Sequence, residues 1–229
     1  MLVSINRIHA GLSNVWLIRH RGVILVDAGM AGSAPSTLKR LEAIGVPPKT
    51  IGLVVLTHGH GDHSGSAAAI CAATGAKLVV HQADRRWVQE GTSPFPPGVT
   101  AYGRFFAGLM AVASPVSRSI MQVPPARADL IVGDDGLDLK SYGIAGRIVH
   151  TPGHTPGSLT VLLESGAAFV GCMAMNGLPF CLKPSLPIFA MDLPRAKESW
   201  RRLLRENIQT IYPAHGKPFP AEMMRGLLT

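Results

Sequence analysis

Long apolar runs are missing from this 229-residue sequence, and without one there is no membrane-spanning helix. The longest in the middle of the chain, Phe105 to Ala113, ends at Ser114-Pro115, far short of the ~20 residues a span needs. Cysteine is scarce: Cys71, Cys172 and Cys181 form an odd, sparse set that does not suggest a disulfide framework. Polar and basic residues break Met1 to His9, so no signal-peptide core is present and a cytoplasmic protein is expected. Acidic residues are also few, 14 against 22 Lys and Arg, leaving a formal charge of +8 that favours acidic partners such as nucleic acid, phosphorylated metabolites or an anionic membrane surface. The basic residues are scattered, however. Their densest group, Arg195, Lys197, Arg201, Arg202 and Arg205, shares one expected helix with Trp200, Leu203 and Leu204 and reads as a solvated outer face. A 47% hydrophobic and 16% charged composition is that of a globular chain, and its length suits a single domain over 1–229.

What the sequence does have is Thr57-His58-Gly59-His60-Gly61-Asp62-His63. Three imidazoles and a carboxylate within six positions point to a shared cation. The apolar, β-branched run Ile51 to Leu56 before them reads as a buried strand, and the Ala-rich Ser64 to Ala73 after them as a helix. The four candidate ligands therefore sit on a strand-to-helix loop, where Gly59 and Gly61 let the backbone turn tightly. Neutral imidazole and carboxylate are the usual partners of zinc.

The remaining pattern surrounds this loop with strands and helices. Val3 to Ile8, Asn14 to Ile18 and Val23 to Val26 read as strands, the last ending at Asp27-Ala28-Gly29. Asp27 either supports a ligating histidine from behind or caps a turn. A helix is expected over Ser33 to Ile44, a strand over Lys77 to His81 and a helix over Ala83 to Glu90. From Gly91 to Ala128 the prolines interrupt every periodic pattern, and this segment of about 91–128 reads as an apolar insertion, a lid over the site. Strands follow at Leu137 to Lys140, Arg147 to Thr151, Leu159 to Leu163 and Ala167 to Gly171. The closing helix is Leu193 to Glu206, and the last strand Ile208 to Tyr212. Two more histidines stand out: His154, held between Pro-Gly pairs in Thr151 to Ser158, and His215, just beyond the last strand.

These elements, Leu25 to Gly29, the His58 to His63 cluster, the His154 loop and Pro213-Ala214-His215-Gly216, resemble the metallo-β-lactamase superfamily through nearly the whole chain. The resemblance implies an α+β fold, a four-layer αβ/βα sandwich of two mixed β-sheets with outer helices. It implies His58, His60 and His154 on one metal ion and Asp62, His63 and His215 on a second, two zinc ions in the first instance, with iron or manganese as alternatives. One departure matters. Most binuclear members carry a bridging aspartate where this chain has Cys172, which reads either as a thiolate ligand on the second site or as a small buried apolar residue. The missing carboxylate weakens the likeness to persulfide-oxidising members, and Met175 replaces the aromatic hydroxyl of the lactonases.

The implied activity is a zinc-dependent hydrolase acting on a small ester, thioester or lactone through a metal-bound hydroxide, with Asp62 orienting that hydroxide and taking its proton. The competing readings are a degenerate, non-catalytic metal-binding or ligand-binding protein, and a phosphodiesterase of nucleic acid.

Overall fold

In β2 (Ser13–Arg19) consecutive side chains serve opposite cores: Val15 and Leu17 face one, Trp16 and Ile18 the other. Such a strand is covered on both faces, which is why it reads as a continuous apolar run instead of an alternating one. The computed structural model describes residues 3–112, 122–178 and 180–228. One sheet has the order β1 (Ser4–Ala10), β2, β3 (Val23–Val26), β4 (Leu53–Val55), β5 (Lys77–His81), β6 (Leu130–Val132). Its first three strands are antiparallel and the rest parallel. The second sheet runs β12 (Phe219–Pro220), β11 (Thr210–Gly216), β10 (Ala167–Asn176), β9 (Leu159–Leu163), β8 (Gly146–His150), β7 (Leu137–Asp138), with only β10 and β11 parallel.

Three apolar layers hold the sandwich. Between the sheets, Trp16, Ile24, Val55 and Val79 meet Ile148, Val161 and Phe169. Outside the first sheet, Leu25, Val54 and Leu78 pack under α1 (Ala34–Ala43) through Leu41 and under α3 (Ala67–Thr74) through Ile70. Outside the second, Ala168, Val170 and Ile211 pack under α6 (Leu193–Leu203) through Trp200 and Leu203. The four-layer αβ/βα arrangement is the one expected. On α6, Ala196, Ser199, Trp200 and Leu203 face inward while Arg195, Arg201 and Arg202 are exposed, Arg195 pairing with Glu198.

Trp200 is fully buried and its indole N–H donates to the Met173 carbonyl at 2.7 Å. Trp200→Ala is expected to cost about 3–5 kcal/mol of stability, because it opens a cavity and orphans that carbonyl together. Urea unfolding checks this, and an unchanged midpoint would contradict the packing.

Several boundaries differ from the sequence reading, each for a local reason. The helix expected over Ser64 to Ala73 is two pieces, α2 (Gly61–Ser64) and α3, so Asp62 and His63 lie in the first turn of a helix and not in a loop. β10 does not stop at Gly171. Gly171 takes φ +56°, where a Cβ would strike the Thr57 side chain, and the register shifts there before the strand continues to Asn176. Cys172 is thereby inside a strand, and so is His215, since β11 runs to Gly216. The insertion contains a helix, α5 (Ala101–Val112), and its start is pinned by hydrogen bonds between Val99 N–H and Ile188 O and between Ala190 N–H and Pro97 O. Residues 113–121 of the expected lid lie outside the described residues.

Candidate metal centre

The parallel strands β3, β4 and β5 and the parallel pair β10 and β11 deliver their C-terminal ends to one edge of the sandwich, and every candidate side chain except Asp62 is buried there. His58 and His60 follow β4, Asp62 and His63 lie in α2, His154 sits in the loop between β8 and β9, Cys172 in β10 and His215 in β11. Three donor sets result, each with its ligand atoms within 4.8 Å of one another: His58, His60 and His154; Asp62, His63 and His215; His58, His63 and Cys172.

Each histidine is oriented by what its outer nitrogen touches. His63 Nδ1–H donates to Asp27 Oδ2 at 2.9 Å, His154 Nδ1–H to the Phe189 carbonyl at 2.8 Å and His215 Nδ1–H to the Leu12 carbonyl at 2.9 Å. For His58 the partner is Thr57 Oγ1 at 3.1 Å. That hydroxyl spends its own proton on Asp27, 2.9 Å from Oδ1, so it accepts from His58 Nδ1–H. In the neutral form of each of the four rings the lone pair is therefore on Nε2, turned inward. His58 Nε2 is buried with no hydrogen-bond partner, and His154 Nε2 faces His60 Nδ1 at 3.1 Å, a contact that holds either one proton or one cation.

The second set gathers the charged groups. Asp62 Oδ2 lies 3.3 Å from both His63 Nε2 and His215 Nε2, and Cys172 Sγ is 3.2 Å from His63 Nε2. Burial opposes ionisation of Asp62, but His63 and His215 outweigh it and hold the carboxyl well below its ordinary range. Burial likewise pushes the Cys172 thiol up, and the surrounding imidazoles, His215 and His63 first, pull it well below. His63 and His215 are driven upward in return, against burial, His63 chiefly by Asp62 and His215 chiefly by Cys172, to about 10 for His215. Burial and neighbouring imidazoles lower His58 and His60, so these stay neutral. Neutral imidazoles with an unsatisfied buried lone pair, a carboxylate and a thiolate form a donor set that fits zinc.

Two carboxylates brace the site. Asp27 is buried at φ +65°, the one non-glycine with positive φ among the described residues, and it accepts from Thr57 N–H as well as from Thr57 Oγ1 and His63. Of its two sequence readings, the supporting one describes this geometry. Asp84, read from sequence only as part of a helix start, accepts from Gly59 N–H, Gly157 N–H and Thr155 Oγ1 and so joins the His58 loop to the His154 loop. Position 153 in that loop requires glycine twice over, since φ is +144° and a Cβ would meet the backbone of Ala196 in α6.

A further grouping, His81, Asp134 and His150, lies at the ends of β5, β6 and β8. Its two rings stack at 3.9 Å and 14°, so one ion cannot lie in both ring planes. His81 Nδ1 is also taken by Ala83 N–H, and His150 Nε2–H by the Pro156 carbonyl. This grouping ties the two sheets together.

A cavity of about 150 Å³ opens on the centre, with His60, Asp62, His154, Cys172 and His215 at its floor. Among the described residues no helix is long and apolar enough to cross a membrane.

Comparison with known proteins agrees with this architecture. The chain is 26% identical over 206 residues to a protein of Methanocaldococcus jannaschii named as a probable metallo-hydrolase, covering 90% of this chain and 88% of that one. Among solved structures it resembles a B3 metallo-beta-lactamase, at 18% identity and TM-score 0.72 over 97% of both chains. It also resembles an archaeal metallo-beta-lactamase superfamily protein from Sulfolobus tokodaii, at 21% identity and TM-score 0.69, covering 98% of this chain and 84% of that one. The family description that matches residues 9–215 takes in all the strands from β2 to β10 and the whole run from His58 to His215, and on that match the chain belongs to the metallo-beta-lactamase superfamily.

Proposed function

We propose that the chain is a zinc-dependent hydrolase of a small ester, thioester or lactone. His58, His60 and His154 would hold one ion, and Asp62, His63 and His215 a second. Cys172, whose Sγ groups with His58 and His63, would add a thiolate to the second set. The observation that carries this reading is the inward Nε2 lone pair of His58, buried without a partner amid three further rings whose outer nitrogens are already committed. When bound, zinc acidifies water and polarises a substrate carbonyl. The chain's own residues supply the rest. Asp27 and Asp84 keep the rings and loops in place, Asp62 faces the cavity and accepts the proton released as water attacks, and the cavity's size selects a small reacting group.

Chelation is expected to reduce turnover of activated esters or lactones to background, with recovery on adding zinc. Chelator-resistant turnover would sink the proposal. Metal analysis separates the role of the thiol: the wild type should hold about two zinc ions, Cys172→Ser about one, and Cys172→Asp both. Two ions retained by Cys172→Ser would remove the thiol from the ligand set.

A further inference from the structure

We propose that this site takes substrates whose reacting group carries a neutral, apolar substituent about as large as a benzene ring or a six-carbon acyl chain, and rejects those with an anion in that position. The inference rests on the hydrolase reading and narrows its substrate class. Above the donor floor the cavity wall is Leu12, Phe95, Phe106, Met175, Phe180 and Phe189, drawn from four separate stretches of chain. The rings brace one another: Phe95 meets Phe189 edge-on at 5.2 Å, Phe106 lies 5.8 Å from Phe189, and Phe180 leans on His215 at 4.7 Å. Met175 adds a polarisable side chain that fits irregular apolar shapes.

The charges are as informative as the rings. The chain is rich in Lys and Arg, yet among the described residues none of them lines this cavity. Among the described residues, every ionisable group there, His60, Asp62, His154, Cys172 and His215, belongs to the donor cluster. A carboxylate on the substrate would therefore be stripped of water and left without a cation other than the metal, which the reacting carbonyl needs. The volume sets the size of the accepted group. An enclosed apolar cavity of about 150 Å³ admits benzene, so the apolar wall here has room for a group of that size. Apolar character also continues on two of the wall-forming stretches through Phe105, Leu178 and Leu182, all exposed.

Calorimetry on the zinc-loaded protein with a hydroxamate series tests this, since hydroxamates are not turned over and their head group reads the metal independently of the tail. Affinity should rise about fourfold per methylene from acetohydroxamate to hexanohydroxamate, the ratio corresponding to about 0.8 kcal/mol per buried CH₂, and level off beyond that length. The monohydroxamate of adipic acid, which has the same six carbons, should bind at least about a hundredfold more weakly than hexanohydroxamate, the cost of an unpaired buried charge. Phe106→Lys should narrow that gap at least tenfold by supplying a cation. Acetohydroxamate binding with no gain along the series would overturn the inference and leave the metal reading standing. If no hydroxamate binds but neutral alkanols bind the metal-free protein with the same dependence on length, the metal reading fails and the apolar site stands. If neither series binds, both are wrong.

Discussion

Asp62→Asn is expected to lower turnover by about 10²–10⁴-fold, the usual cost of removing a positioned proton acceptor. The change is nearly isosteric, and the side chain is partly exposed at the cavity floor, so packing is preserved. What changes is charge. Oδ2 is equidistant, at 3.3 Å, from His63 Nε2 and His215 Nε2, and those two rings keep the carboxyl ionised far below neutral pH. Asparagine cannot take a proton and presents either a carbonyl or an N–H₂ to two rings whose inward nitrogens need an acceptor or a cation. Zinc content must be measured beside kcat, because the second ion loses one of its ligands. A variant that keeps both ions and turns over within tenfold of the wild type would dismiss Asp62 as the proton acceptor.

Much of the layout was legible because the candidate ligands sit at or just beyond the apolar runs of strands, and those runs are broken by Gly, Pro or His. His58, His60, His63, His154, Cys172 and His215 are all brought together, and none of them needed a long-range contact to be noticed. Less legible was whatever depends on distant partners. Asp84 looks like an ordinary helix start, and its three donors lie 25 to 73 residues away. Asp27 had two readings that only its contact with His63, 36 residues on, separates. Short edge elements were missed too: β6 and β12 have three and two residues, too few for any periodicity. Gly171 was read as a strand end because a glycine usually is one, whereas here it is a bulge that resets the register and carries the strand onward through Cys172. The Pro-rich insertion concealed α5, whose apolar residues face both the cavity and the outside, Phe106 lining the first and Phe105 exposed to the second.

Asp84→Asn should unsettle both the fold and the centre, by about 2–4 kcal/mol of stability if one buried donor is orphaned and a second is left facing another donor. The carboxylate is fully buried and uses both oxygens: Oδ1 accepts from Gly157 N–H at 2.8 Å, while Oδ2 accepts from Gly59 N–H at 2.9 Å and from Thr155 Oγ1 at 2.8 Å. An amide offers one oxygen. If it serves the Oδ2 side, the N–H₂ faces Gly157 N–H; if it is turned over, the N–H₂ faces Gly59 N–H and only the Thr155 hydroxyl can adapt, by accepting. Neither orientation satisfies all three groups, and no space is left for the loops to shift. A Cβ at Gly59 or Gly157 would already press on Asp84. Gly59 lies between His58 and His60, and Thr155 adjoins His154, so the error is passed to three rings of the first donor set. Zinc affinity there should fall about 10–100-fold, as it does when an outer partner of a ligand is lost. Unfolding measured on chelated protein isolates the structural cost, and competition against a chromophoric chelator reads the metal. A loss of stability with zinc affinity intact would make Asp84 scaffold alone. If the affinity falls as well, a single buried carboxylate at the helix start after β5 is what aligns candidate ligands arriving from both sheets.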